Sequence, residues 1–95
     1  MTTVRIQFSD HALLRMFERR VDARDVHDAV DTGEVLETYP EDTPFPSKLL
    51  LGWPRGKPLH VVAADNAEGG VTVIITVYEP DPDKWEPPNY QRRRL

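Results

Sequence analysis

The chain contains no cysteine, which excludes both a disulfide framework and a thiolate-ligated metal site. Long apolar runs are missing too. The uncharged segment Val71–Tyr78 spans eight residues, far short of the roughly 20 that cross a bilayer as a helix. The first residues, "MTTVRIQF", are too short and polar for a secretory leader, so a cytoplasmic, membrane-free protein is expected. An excess of positive charge is also lacking. Twelve Lys and Arg face 16 Asp and Glu, a formal net charge of −4, which argues against a broad nucleic-acid-binding surface. The imbalance is uneven: residues 1–24 carry five basic and three acidic side chains, residues 25–86 four and thirteen, and residues 87–95 three arginines and no acid. Only the two chain ends offer a basic patch, and they would have to meet in space. Glycines number five and prolines nine, so punctuation falls mainly to proline.

What is present suits one globular domain. Hydrophobic residues make up 39% and charged residues 29%, outside the compositional range of disordered chains. Ninety-five residues suffice for a single modest core. "VRIQF" alternates and reads as a short strand or an extended lead-in. Ser9 is placed to cap a helix over about 10–20. At 100° per residue Leu13, Leu14, Phe17 and Val21 share one arc with Met16 at its edge, and His11, Arg15 and Glu18 share the opposite one beside Arg19. The first arc is therefore expected to face the core. Asp22 is the expected cap of a second helix through Thr32, with Val26, Ala29 and Val30 as its apolar stripe, and Gly33 stands where a left-handed terminus is expected. From Glu34 the period changes to that of strands: "EVLETY", "SKLLLGW", "PLHVVAAD" and "VTVIITVYE", separated by turn-rich links.

The expected fold is therefore α+β, two N-terminal helices packed on an antiparallel four-stranded meander, all within one domain over residues 1–95. Residues 1–33 form the helical hairpin, 34–79 the sheet, and 80–95 an extended proline-rich tail pinned by Trp85.

Phosphate-binding glycine loops, paired-cysteine motifs and nucleophile-elbow serines are absent. The three histidines, 11, 27 and 60, fall on different elements, which argues against a metal site. His27, among Asp25, Asp28 and Asp31, reads as a solvated residue. Alternation places His60 opposite Leu59, Val61 and Ala63, and places Thr72, Ile74, Thr76 and Tyr78 opposite Val71, Val73, Ile75 and Val77. If the aliphatic sets cover the helices, His60, Thr76 and Tyr78 meet on the other face and could supply proton transfer and oxyanion hydrogen bonds. The competing reading is a set of half-buried sheet residues bonded to loops. His11 and Arg15, one helical turn apart, suit a phosphate and a proton, with Glu18 fixing the tautomer. Equally, they suit a solvated face carrying an Arg15–Glu18 pair. Trp53 and Trp85 read as hydrophobic clamps. Arg92, Arg93 and Arg94 read as a phosphate grip, a partner anchor or a solubilising end.

Four segments, "SDHALLRMFERR", "TPFPSKLLLG", "KPLHVV" and "ITVYEPDPDKWEP", in this order and over nearly the whole chain, resemble the bacterial domain-of-unknown-function family 4258. The resemblance implies a fold of the RelE-type toxin group and a metal-independent endoribonuclease of a toxin–antitoxin system that uses no cofactor. It implies His11, Arg15, His60, Thr76 and Tyr78 as the catalytic positions, RNA as substrate and a zinc-ribbon antitoxin as partner. His60 and His11 are then the expected proton-transfer pair and Arg15 the phosphate stabiliser, with Arg19, Arg92, Arg93 and Arg94 holding RNA. The acidic balance departs from the basic character usual in that toxin group. Where many relatives have glycine after the Glu-Arg pair this chain has Arg20, so a tighter or shifted corner is expected there. Two other classes remain open: a non-catalytic interaction module, and an anion- or small-molecule-binding domain.

Overall fold

A computed structural model describes residues 5–94. Its elements run β1 (Arg5–Phe8), α1 (Asp10–Arg19), α2 (Ala23–Thr32), β2 (Glu34–Tyr39), β3 (Ser47–Gly52), a 3-10 turn (Pro54–Gly56), β4 (Leu59–Asn66) and β5 (Val71–Tyr78). The class is α+β. The sheet differs from the expected four-stranded antiparallel meander: it has five strands in the order β1-β5-β4-β3-β2, and β1 pairs parallel to β5. The expected meander survives as β2 to β5. A four-residue segment carries no mark of its partner, and both helices and three strands separate β1 in sequence from β5, the strand it joins. Val4, part of the same expected segment, lies outside the described residues, as does Leu95 at the end of the tail.

Local chemistry fixes the helices. Ser9 Oγ accepts the Ala12 amide at 3.0 Å and donates to the Ile75 carbonyl at 3.0 Å, so the cap also rivets α1 to β5. Asp22 and Asp25 form a reciprocal capping box at the start of α2. The left-handed terminus expected at Gly33 is found instead at Arg20. Gly33 is extended, with φ −72°, whereas Arg20 has φ 56° and ψ 40°. The Val21 amide reaches back to the Met16 carbonyl at 2.9 Å, a Schellman-type closure in which Arg20 occupies the position glycine usually takes.

The orientation of α1 departs from its apolar arc. Ala12 and Met16 are the buried residues, while Leu13, Leu14 and Phe17 are 50%, 55% and 84% exposed. Small Ala12 permits a close approach to β5 that a bulkier residue would prevent. His11 and Arg15 thereby flank the sheet rather than pointing away from it. The helix-side core unites Ala12, Met16, Val26 and Ala29 with Leu50, Leu59, Val61, Ala63, Ile74 and Val77. At Gly52 the helix comes nearer still: a Cβ there would lie 2.5 Å from the Ala29 Cβ and 2.6 Å from its Cα.

The opposite face is not open to solvent. The tail doubles back instead of running extended, with Glu86 N bonded to Arg92 O and Arg94 N to Lys84 O, both at 2.8 Å. Buried Trp85 packs edge-on against the His60 ring, centroids 4.5 Å apart. By register Leu49 and Leu51 share this face with His60 and are buried. Coverage on both sides explains why β3 and β4 read as nearly continuous apolar runs instead of alternating.

The helix–sheet contact at Gly52 leaves no room for one methyl. Gly52→Ala is expected to destabilise the fold by about 1–3 kcal/mol, measured as a lower urea midpoint at unchanged m-value. An unchanged midpoint would show that α2 can shift away at no cost.

Candidate functional site

β5 organises the candidate residues through one irregularity. The register slips between Val62 and Ala63 so that Thr76 opposes Val62 while Ile74 opposes Ala63. Ile75 is the extra residue of a bulge, and it is exposed. The face assignment expected from alternation is corrected accordingly. Ile74 and Val77 both enter the helix-side core, Ile75 joins neither face, and Thr76 and Tyr78 share the tail-side face with His60. The two are separated by two strand steps, about 7 Å.

His60 is wholly inaccessible to solvent. Its Nδ1 lies 3.2 Å from the Tyr78 hydroxyl and its Nε2 3.1 Å from the Tyr90 carbonyl. A carbonyl only accepts, so Nε2 carries the proton, and Nδ1 accepts from the Tyr78 O–H. Burial lowers the His60 pKa below its usual value, outweighing the Tyr90 carbonyl bond, which favours the cation. Burial likewise raises that of the Tyr78 hydroxyl. The imidazole is therefore neutral, with both nitrogens engaged.

His11 stands in the opposite situation. It is exposed, and its Nε2 lies 3.1 Å from Thr76 Oγ, reached past the end of β1, where the pairing with β5 stops at Ile74. When Nε2–H donates to Thr76, Nδ1 is left able to take a proton. Arg15 follows one turn along the same flank and meets Glu18 at 3.4 Å, an exposed pair contributing no more than a few tenths of a kcal/mol. Arg19, a further turn on, borders a cleft of about 340 Å³ together with Glu79, which follows β5. The structure thus joins His11 to Thr76 and His60 to Tyr78 at neighbouring positions of one strand, while separating the two imidazoles by exposure. His27 is exposed, its ring edge-on to Phe8.

The tail arginines are largely committed to holding the tail. Arg93 Nη2 donates to Glu37 at 3.0 Å, and its guanidinium lies 4.7 Å over the Trp85 ring. The Glu37 bond raises its already high pKa. Arg94 donates to the Pro82 carbonyl, and Arg92 borders a shallow hollow with Glu86 and Gln91. Among the described residues no group of three His, Asp or Glu is arranged to hold a metal ion, and no helix is long and apolar enough to cross a membrane. Sequence reasoning missed Arg20, Arg55 and Lys57 beside Arg19 in the cleft. "PRGK" reads as a turn, and nothing in its composition says which side chains it aims inward.

His60 couples stability to pH. Its folded pKa lies below the unfolded value of about 6.5, so on acidification the unfolded chain takes the proton first. The contribution is complete above about pH 6.5 and is lost as pH falls from there through the folded pKa. Chemical denaturation at pH 7.5 and 5.5 is expected to show a larger acid loss in wild type than in His60→Gln. Equal losses would contradict this assignment.

The sequence profile of the family described as "Domain of unknown function (DUF4258)" matches residues 8–79, from the last residue of β1 to just beyond β5. No curated protein and no solved structure matches the chain. The matched region holds both helices, four of the five strands, His11, Arg15, His60, Thr76 and Tyr78, and it leaves out the tail that seals His60. With three quarters of its length matched by that profile, the chain belongs to the DUF4258 family.

Proposed function

We propose that this chain is a metal-independent RNA-cleaving domain of the RelE toxin type, working at the α1 flank where it meets β5. The observation that carries the reading is an exposed imidazole, His11, oriented by the Thr76 hydroxyl at 3.1 Å and followed at successive helical turns by Arg15 and Arg19. This supplies a proton acceptor and cations along one line, the minimum needed when RNA provides its own nucleophile. His11 Nδ1 takes the proton of a ribose 2′-hydroxyl, and the 2′-oxygen bonds to phosphorus. The phosphorus–O5′ bond breaks, and the departing oxygen takes a proton from solvent water, leaving a 2′,3′-cyclic phosphate and a 5′-hydroxyl. Arg15 neutralises charge gathering on the non-bridging oxygens. His60 and Tyr78 act at one remove, holding β4, β5 and the tail in place rather than touching substrate. Two helices against a largely antiparallel sheet agree with the expected toxin-like arrangement.

A second reading has its own observation. Leu13, Leu14 and Phe17 present a continuous apolar strip to solvent on α1, as an interaction module or a toxin held by its antitoxin would. On this reading a zinc-ribbon antitoxin covers the strip, and Phe17→Ser abolishes its capture without lowering the melting temperature.

Incubation with single-stranded RNA, alone and with ribosomes, tests the first reading. Wild type is expected to yield cyclic-phosphate ends, His11→Ala to cut roughly 10²–10⁴-fold more slowly, and Thr76→Val to lose activity with less change in RNA affinity. Intact RNA under every condition removes the enzyme reading. Cleavage retained by His11→Ala removes His11 as its base.

A further inference from the structure

The cleft at the α1–α2 corner has a composition at odds with the rest of the molecule. Arg19, Arg20, Arg55 and Lys57 line it, against Asp25 and Glu79, a local formal balance of four cations to two carboxylates in a chain whose net charge is −4. Asp25 is already occupied. It is buried, its Oδ2 receives Arg55 and the Asp22 amide, and its own amide completes the capping box. Arg55 is thereby fixed in place. Arg19, Arg20 and Lys57 form no ion pair among the described residues. The space between them is floored by Val21, Leu59 and two prolines, a rigid apolar base that cannot itself satisfy charge.

The backbone sets where two of these cations start. Non-glycine residues at positive φ are uncommon because Cβ crowds the following carbonyl. Arg20 has φ 56° and Arg55 φ 54°, and both line this cleft. Glycine would take either conformation without penalty. At Arg20 this conformation closes α1, and a third such residue, Tyr90, belongs to the tail; what bears on the cleft is that arginines occupy both positions lining it. Two long guanidinium groups at two such positions, with Lys57 two residues beyond the second, set cations around one small volume.

We propose that this cleft is a phosphate-binding site, with Arg19, Arg20 and Lys57 as its ligating cations and Arg55 as their fixed neighbour. Resting on the RNA reading above, the phosphate it takes is one of the RNA backbone, next along α1 from the position at His11. Planar guanidinium forks match the paired oxygens of a phosphate, and the apolar floor accommodates the ester side, which is uncharged.

The test uses a 2′-O-methyl RNA hexamer, which cannot be cut, followed by fluorescence anisotropy, and inorganic phosphate followed by amide shifts in NMR. The variants are Arg20→Gly and Lys57→Ala. Arg20→Gly is expected to melt at or above the wild-type temperature, since glycine suits its φ, yet to bind the hexamer about 10-fold more weakly or worse, as a lost charged contact predicts. Lys57→Ala is expected to weaken binding similarly. Binding of the hexamer requires no cleavage, so failure of cleavage and failure of this site are read separately. Saturable phosphate shifts at the corner that vanish in both variants, without hexamer binding, support the site and overturn RNA as its source. Variants that bind hexamer and phosphate as tightly as wild type, or a wild type that binds neither, overturn the site.

Discussion

A neutral imidazole bonded at both nitrogens inside the sheet's second face is what the docking of the tail depends on. His60 accepts from Tyr78 on the adjacent strand and donates to the Tyr90 carbonyl in the tail. Trp85 closes over it, and Arg93 lies on Trp85 while holding Glu37 of β2. Each contact excludes water from the next, so the hydrogen bonds gain strength from the burial that would make them costly to lose. A proline-rich segment with few backbone donors cannot assemble its own sheet. It is ordered by docking on groups the sheet presents.

Backbone approach controls the helix face in a comparable way. Ala29 lies against Gly52, and Ala12 lies against β5. Small residues at the contacts let the helices sit close, and the larger side chains of α1 are rotated outward as a consequence. The exposed Leu13, Leu14 and Phe17 are therefore no accident of a loose helix, since α1 is capped at both ends and bonded through Ser9 to β5. The same rotation brings His11 within reach of Thr76.

Much of this was legible in the residues. Caps at Ser9 and Asp22, the helix spans and the four meander strands follow from local chemistry and period; strict alternation also pairs His60 with Tyr78, but the structure makes that meeting through the bulge at Ile75. The orientation of α1 did not, because amphipathicity reports which arc is apolar and not which arc finds the core. Ala12 counts as weakly hydrophobic, yet its size decides the packing. The parallel β1 and the folded tail rest on long-range pairing with no local signature. The cleft escaped for a related reason: its cations come from α1's end and the "PRGK" turn, some 35 residues apart in sequence, and overall acidity hides a local positive field that acts only within about a Debye length, roughly 8–10 Å.

The bulge at Ile75 ties these parts together. With strict alternation, Thr76 and Tyr78 would share a face with Ile74, and that face is the helix-side core. Two hydroxyls would then be buried among Val61, Ala63 and Met16 with no partners, at a cost of a few kcal/mol. One inserted residue changes the parity. Ile74 and Val77 both remain in the core, and Thr76 and Tyr78 are delivered to the edge and the far face, where His11 and His60 await them. A bulge also sharpens local twist, and this one lies just beyond the last β1 pairing. The polar positions of this fold are thus set by a break in strand period that no alternating pattern announces.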